Sequence, residues 1–440
     1  MVERFDSLNR LAEPRSARLI HYLQRLYRRL PLKAKTRAMI RSRARLMRRL
    51  MIPWWRPGQA QCMASTPPVA ALPGHPDRIF FAVIDWHFRM QRPQHLALQS
   101  AALGYRAFYV SNEFLDDVTP GFCVERLDTS GRLFQIRLKV RGADAIYFGC
   151  PSAPAREQLR QGLEQLRDWA DMAAAVSIIQ HPFWTDIVRY GGNEPVVYDC
   201  MDYHEGFETF ADELRWAERR LMQKADLTIV TSSWLETFVS QHARQVALIR
   251  NGVDDGQFAM PPREHFMDAQ GRRVIGYYGA LGAWFDADLV RAVAHRFSDC
   301  LVILVGGDQA QIGRALRGCQ NVKLTGEVPY TDLPYYLYGF DVCLLPFRMM
   351  PLTLATNPVK MYEYLASGKP VVSVDLPEAR ACAEQLGVAA DTQAFCDLIA
   401  KALASGTEGA AARRKFASQQ TWANRALAFN QAIDRLGAIA

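Results

Sequence analysis

The sixteen residues Asn357-Pro358-Val359-Lys360-Met361-Tyr362-Glu363-Tyr364-Leu365-Ala366-Ser367-Gly368-Lys369-Pro370-Val371-Val372 constrain this chain more than any other stretch. They follow an apolar run from Asp341 to Phe347 with buried-strand character and lead into another at Val371. Between the two the pattern predicts a helix. Asn357 is suited to the N-cap, Pro358 to the first helical position, where its missing N–H costs nothing, and Gly368 to the stop. A helix that starts at the carboxyl end of a parallel strand aims its free N–H groups and partial positive charge into a crevice. Lys360 lies in that first turn, with Glu363 three residues on and on the same face. The set suits a nucleoside diphosphate: the helix end and Lys360 for phosphates, Glu363 for ribose hydroxyls. The competing reading is a surface helix carrying a solvated Lys/Glu pair.

The pattern Asn-Pro-x-Lys-x-Tyr-Glu-Tyr-Leu-Ala-x-Gly-Lys-Pro-Val-Val resembles the donor-binding segment of bacterial GT-B glycosyltransferases, the group 1 or family 4-like enzymes. The resemblance implies an α/β fold of two Rossmann-like domains facing a central cleft. On this chain it implies an acceptor-side domain over residues 78–262 and a nucleotide-sugar donor domain over 263–410. Residues 411–440, with apolar positions at helical spacing over 411–435, are expected to form a final helix crossing back to the first domain.

Length and charge agree with that plan. A chain of 440 residues suits two compact domains plus an extension. Its net charge of +8 is unevenly placed: residues 1–56 hold 16 Lys/Arg against 3 Asp/Glu, and the remainder is net acidic. The first segment reads as two basic amphipathic helices, 15–30 and 33–51, broken at Pro31 and closed by Trp54-Trp55. This suits an anionic membrane surface; a docked helix of the fold and an RNA-binding arm are the competing readings, and no RNA-binding module follows. Residues 57–77, rich in Pro and Ala, read as a linker. No apolar run approaches the ~18 residues that span a bilayer, and no signal peptide is visible. Nine cysteines show no CxxC pair and no zinc spacing, so they are expected to be thiols in a reducing compartment.

From residue 78 strands and helices alternate. The strand at 79–84 ends in a loop, Asp85 to Leu96, without the GxGxxG of a dinucleotide site but with Arg89 and Arg92. These arginines are candidates for phosphate or acceptor contacts, or for structural work at a helix start. The Trp-x-x-x-x-Gln-Arg-Pro-Gln-His-Leu pattern of the loop is similar to the first loop of some bacterial polysaccharide glycosyltransferases. Two later strands end at His181 and at Asp202. Functional groups in parallel sheets collect outside those ends, so both residues are candidates for catalysis. The competing readings are a His181 satisfied by backbone and an Asp202 that caps the next helix.

The alternation restarts at residue 273, with glycines after each strand: Gly279-Ala280-Leu281-Gly282, Gly306-Gly307 and Gly326-Glu327-Val328. With the 357–372 segment they form the ordered series of the family's donor domain. The resemblance places Gly279, Gly282, Gly306, Gly307, Glu327 and Val328 at the donor beside Asn357, Pro358, Lys360 and Glu363. Two departures stand out. The first Glu of a Glu-x7-Glu pair falls on Ala355, and an Arg/Lys pair after the first glycine is replaced by Ala280 and Trp284-Phe285. A diphosphate needs counter-charge in a closed cleft, so Lys360 with Arg89 or Arg92 must supply it. That arrangement resembles a branch that includes inverting bacterial glucuronosyltransferases, and stereochemistry stays open. The expectation is a metal-independent, cofactor-free transferase at the cytoplasmic face of the cell membrane. It moves a sugar from a nucleoside diphosphate sugar to a lipid-linked or polysaccharide acceptor and binds no nucleic acid. A nucleotide-sugar 2-epimerase and a catalytically decayed scaffold of a polysaccharide assembly complex are the alternatives.

Overall fold

The computed structural model describes residues 66–437 apart from 143–144, 192–193 and 208–209. The basic segment 1–56 and residues 57–65 of the linker lie outside the described residues. Short apolar runs rich in Val, Ile and Phe, buried on both faces, make two sheets whose strands are almost all parallel. The first comprises β1 (Asp77–Phe81), α1 (Arg92–Ala102), β2 (Ala107–Val110), β3 (Phe122–Arg126), β4 (Leu133–Leu138), α2 (Ala153–Trp169), β5 (Ala175–Ile179), β6 (Val196–Cys200), α3 (Asp212–Lys224), β7 (Leu227–Val230), α4 (Ser233–Val239) and β8 (Val246–Leu248). Its strand order is β3-β4-β2-β1-β5-β6-β7-β8, with only the β3–β4 pair antiparallel.

The second sheet comprises β9 (Val274–Tyr278), α5 (Ala287–Arg296), β10 (Leu301–Val305), β11 (Val322–Gly326), α6 (Leu333–Gly339), β12 (Val342–Leu345), α7 (Val359–Ser367), β13 (Val371–Val374) and β14 (Gly387–Ala389). Helices α8 (Thr392–Ser405), α9 (Ala410–Ser418) and α10 (Trp422–Gly437) complete the chain. The order β11-β10-β9-β12-β13-β14 reverses direction beside β9, as the first sheet does beside β1. Each reversal leaves a crevice at the carboxyl ends of the strands, and it is there that ligands bind in such sheets.

The chain crosses between the sheets twice, and the crossings are bonded together. Val253 donates to the Gln420 carbonyl at 2.9 Å, and Trp422 donates back to Val253 at 3.0 Å. This corrects two expectations. The domain boundary expected between residues 262 and 263 lies earlier, since Val253 and Phe258 already belong to the second core. The expected single helix over 411–435 is two helices, because residues 419–421 leave helical geometry to pair with the outgoing strand. Helix α10 then packs on the first sheet, where Phe429 stacks on Phe80 and Asn430 accepts from the buried Arg78 at 3.0 Å. Seven cysteines are free thiols, two of them (Cys200 and Cys343) inside strands, while Cys123 is disulfide-bonded, against the all-thiol expectation.

Candidate functional site

A cleft of about 750 Å³ opens between the carboxyl ends of the two sheets, within the size range of small-ligand sites. Its second-domain wall is built from strand ends that only glycine permits. Gly279 (φ +129°) and Gly306 (φ +149°) follow β9 and β10, and a Cβ on Gly306 would lie 2.0 Å from the Gly279 carbonyl oxygen. With no side chain there, the backbone itself forms the surface. Gly306 is bonded in turn to the Gly326 carbonyl at 2.8 Å, so three loops are tied at one place. Gly279, Gly306, Gly307, Glu327, Val328 and Pro358 all line the cleft. Gly282 does not: the Trp284 ring covers it, 2.5 Å from where a Cβ would stand.

Helix α7 begins at Val359 against this wall, with Pro358 rather than Asn357 at its N-cap. Lys360 lies in the first turn and folds over Gly279, its Cε 2.8 Å from where a Cβ would be. Its Nζ sits 5.5 Å from the Tyr277 ring and 5.2 Å from Phe347, a cation–π seat that holds the ammonium without an ion partner. Burial pushes the Lys360 pKa down to about 8, against the opposing pull of Glu363. Glu363 also lines the cleft and accepts from the Tyr278 hydroxyl at 2.7 Å. Burial pushes its carboxyl up to about 7, despite that bond and the Lys360 charge.

Asn357 lines the cleft as expected, and it also has a second role. Its side chain accepts from the Asn251 N–H at 2.8 Å and donates to Tyr362 and Glu378, while its carbonyl accepts from the Asn251 amide at 2.7 Å. Asn357 therefore fastens the two domains at the back of the cleft. Glu378, almost fully buried, gathers the same seam by accepting from Ser233, from Arg250 at 2.6 Å and from Asn357. Ala355, at the position of the missing Glu, is buried too, and its carbonyl accepts from Ser232 at 2.6 Å.

The first-domain wall separates the two arginine candidates. Arg92 is buried and bonded to Asp199 at 2.8 and 3.0 Å and to the Ile249 carbonyl at 3.0 Å. A carboxylate with no solvent exposure requires that counter-ion, so Arg92's charge is spent on structure, which corrects the phosphate or acceptor role. Arg89 is half-buried in the cleft and reaches across it to Glu327 at 2.6 Å. Two residues assigned separate roles thus meet as an ion pair between the domains. The loop that carries Arg89 is held by Asp85, which accepts from Ser111 at 2.7 Å and from the His87 N–H at 3.0 Å.

Asp202 follows β6 and lines the cleft, open to solvent yet flanked by protein at longer range. That burial raises its carboxyl above the usual range; His204 opposes the shift, and Glu218 and Asp199 add to it. His181 is not brought to the cleft. Only 1% of it is exposed, its Nδ1 accepts from the Phe183 N–H at 3.2 Å, and Tyr147, which does line the cleft, contacts its ring at 5.6 Å. Burial, with the neighbouring His204, holds its pKa well below the ordinary value, so the imidazole is neutral. The strand-end pattern marks both residues alike, and only packing tells them apart. Tyr147, Trp284, Tyr278 and Tyr330 line the cleft without a motif to announce them. Among the described residues no three His, Cys, Asp or Glu side chains gather as a metal-ligand set, and no helix is long and apolar enough to cross a membrane.

Residues 272–405 match the family model described as "Glycosyl transferases group 1". TuaH of Bacillus subtilis (strain 168), assigned to teichuronic acid biosynthesis as a glycosyltransferase, is 27% identical over 203 residues, 42% of this chain. The match spans 51% of TuaH, about half the length of that relative. Among solved structures, a sucrose-phosphate synthase from Thermosynechococcus elongatus superposes with TM-score 0.63 at 16% identity, covering 83% of this chain and 100% of its own. HepE of Anabaena, in complex with UDP and glucose, superposes at 0.57 with 17% identity, covering 81% and 100%. These likenesses place the two-sheet architecture in the GT-B fold.

Proposed function

We propose that this chain, a GT-B protein with a group 1 glycosyl transferase domain at residues 272–405, transfers a sugar from a nucleoside diphosphate sugar to a hydroxyl of a lipid-linked or polysaccharide acceptor in cell-surface glycan synthesis. The observation that carries this reading is Lys360. Among the described residues its ammonium makes no salt bridge, and it lies at the start of α7, over the Tyr277 ring and against the bare backbone of Gly279. Helix N–H groups, a lysine and exposed backbone at one point make a diphosphate site in which the helix and Lys360 do the charge work of a metal. Ligands named for the structural relatives, such as UDP and glucose on HepE, are of the same class. Across the cleft Asp202 is the group placed to accept the acceptor's proton. The acceptor oxygen attacks the anomeric carbon, the proton passes to the Asp202 carboxylate, and the bond to the diphosphate breaks with its electron pair. The helix end and Lys360 stabilise the charge that develops. A single displacement of this kind inverts the anomeric centre.

The pH dependence of binding tests the donor site. Above pH 8 Lys360 loses its charge, and below pH 7 Glu363 takes up a proton and no longer accepts from the ribose as a carboxylate. Calorimetric titration with uridine, guanosine, adenosine and thymidine diphosphates is expected to show tightest binding between the two. An affinity unchanged from pH 6 to 9.5 for every diphosphate contradicts the assignment.

The reading places the enzyme on the cytoplasmic face of the membrane, held by residues 1–56, whose 16 basic residues face 3 acidic ones. Each basic residue near an anionic surface contributes up to about 1 kcal/mol, and salt screens it. Co-sedimentation with phosphatidylglycerol vesicles is expected to fall with rising salt and to vanish when residues 1–56 are removed. Undiminished sedimentation after their removal rules out this anchor.

A further inference from the structure

The geometry points to a buried Glu218–His204 pair, two residues beyond Asp202, as the device that holds a positive charge beside that carboxylate during proton abstraction; this rests on Asp202 being the base. His204 opens the short 3₁₀ turn two residues after Asp202, and Glu218 projects from α3 beneath it. Glu218 is 3% exposed and His204 6%. His204 Nδ1 lies 2.7 Å from Glu218 Oε1, and the Tyr198 hydroxyl of β6 donates to the same oxygen. Phe210 stacks on the imidazole at 5.0 Å and fixes its plane. A carboxylate this buried demands a cation, and His204 is the one bonded to it.

The charges around the pair agree on the sign. Burial works against a charged His204, but Glu218 and then Asp202 outweigh it and raise its pKa. His181, packed on His204 at 5.6 Å, is neutral and adds no charge. Cys200 of β6 is pushed far up by burial and stays a thiol. Glu205 turns outward to Arg219 at 3.1 Å, and Asp199 is taken by Arg92. For Asp202, desolvation by the surrounding protein is the largest influence, and the His204 cation opposes it by lowering the pKa. A protonated His204 thus favours the charged form of Asp202, and Glu218 keeps that proton in place.

The test is the acid limb of the kcat/KM profile, read with thermal unfolding as a check on folding. His204→Gln leaves Glu218 without its cation, so the Glu218 carboxylate acts on Asp202 unopposed. The limb is expected to move up by about one pH unit, a loss of roughly tenfold on the acid side, while alkaline kcat and nucleotide-sugar KM stay near wild type. Glu218→Gln removes the anion and, with it, the hold on the His204 proton. Its limb should move up less, and the double variant should match it. If His204→Gln does not fold, Glu218→Gln and imidazole NMR decide: His204 should stay protonated above its ordinary range in the wild type and titrate lower in Glu218→Gln. A limb unmoved in the folded variants, a rate lowered evenly at every pH, or a His204 that titrates normally overturns the inference. A different result overturns the underlying reading: full turnover and an intact acid limb in Asp202→Asn.

Discussion

Asp202→Asn is expected to lower turnover by about 10²–10⁴-fold while leaving nucleotide-sugar affinity near wild type. The asymmetry follows from position. Asp202 stands on the first-domain wall at the end of β6, facing the donor groups of the second domain across the cleft. Asn keeps the shape and removes the acceptor for the proton, so the loss falls on the chemical step. His181→Ala serves as the contrast. That residue is buried and neutral behind Tyr147, so its replacement opens a cavity and costs stability before it costs chemistry. Steady-state kinetics beside calorimetric binding separates the two. Near-normal turnover in Asp202→Asn moves the base elsewhere, and a retained anomeric configuration in the product, read by NMR, contradicts the single displacement.

Lys360→Ala is expected to weaken nucleoside diphosphate binding by about 1.5–3 kcal/mol, roughly 10- to 100-fold, with nucleoside binding unchanged. A charge-assisted bond to phosphate is lost, and nothing among the described residues stands ready to replace it, since Arg92 belongs to Asp199 and Arg89 to Glu327. The fold should survive, because Lys360 has no ion partner that its removal would strand. Glu363→Ala should instead weaken nucleoside and nucleoside diphosphate alike, and it leaves the Tyr278 hydroxyl without its acceptor. Equal affinities for the diphosphate in wild type and Lys360→Ala remove the donor assignment.

The repeating frame was legible in the sequence because its signals are local. Apolar runs of four or five residues, the glycines that end β9, β10 and β11 and a Pro–Gly-bounded helix are written within single stretches, and β9 to β13 with α7 appear where those stretches predict. The site residues that were misread have partners far along the chain. Arg92 meets Asp199 across 107 residues, and Asn357 meets Asn251 across 106. No local pattern distinguishes an arginine held by a buried carboxylate from one facing a ligand. His204 lies two residues beyond Asp202 in the sequence, but nothing local marks Glu218 among the acidic residues of α3. Their pairing exists because α3 packs beneath the end of β6. The break at 419–421 has the same cause: the residues leave the helix to bond a strand more than 160 positions earlier.

The donor assignment is tested most directly by saturation-transfer difference NMR of the full chain against a panel of nucleotide sugars, repeated with Lys360→Ala. The account predicts that at least one nucleotide sugar receives saturation at both its ribose and sugar protons. Its nucleoside diphosphate should displace it, and Lys360→Ala should lose the signal at equal protein concentration. A panel with no binder, or a binder whose signal is indifferent to Lys360, contradicts it.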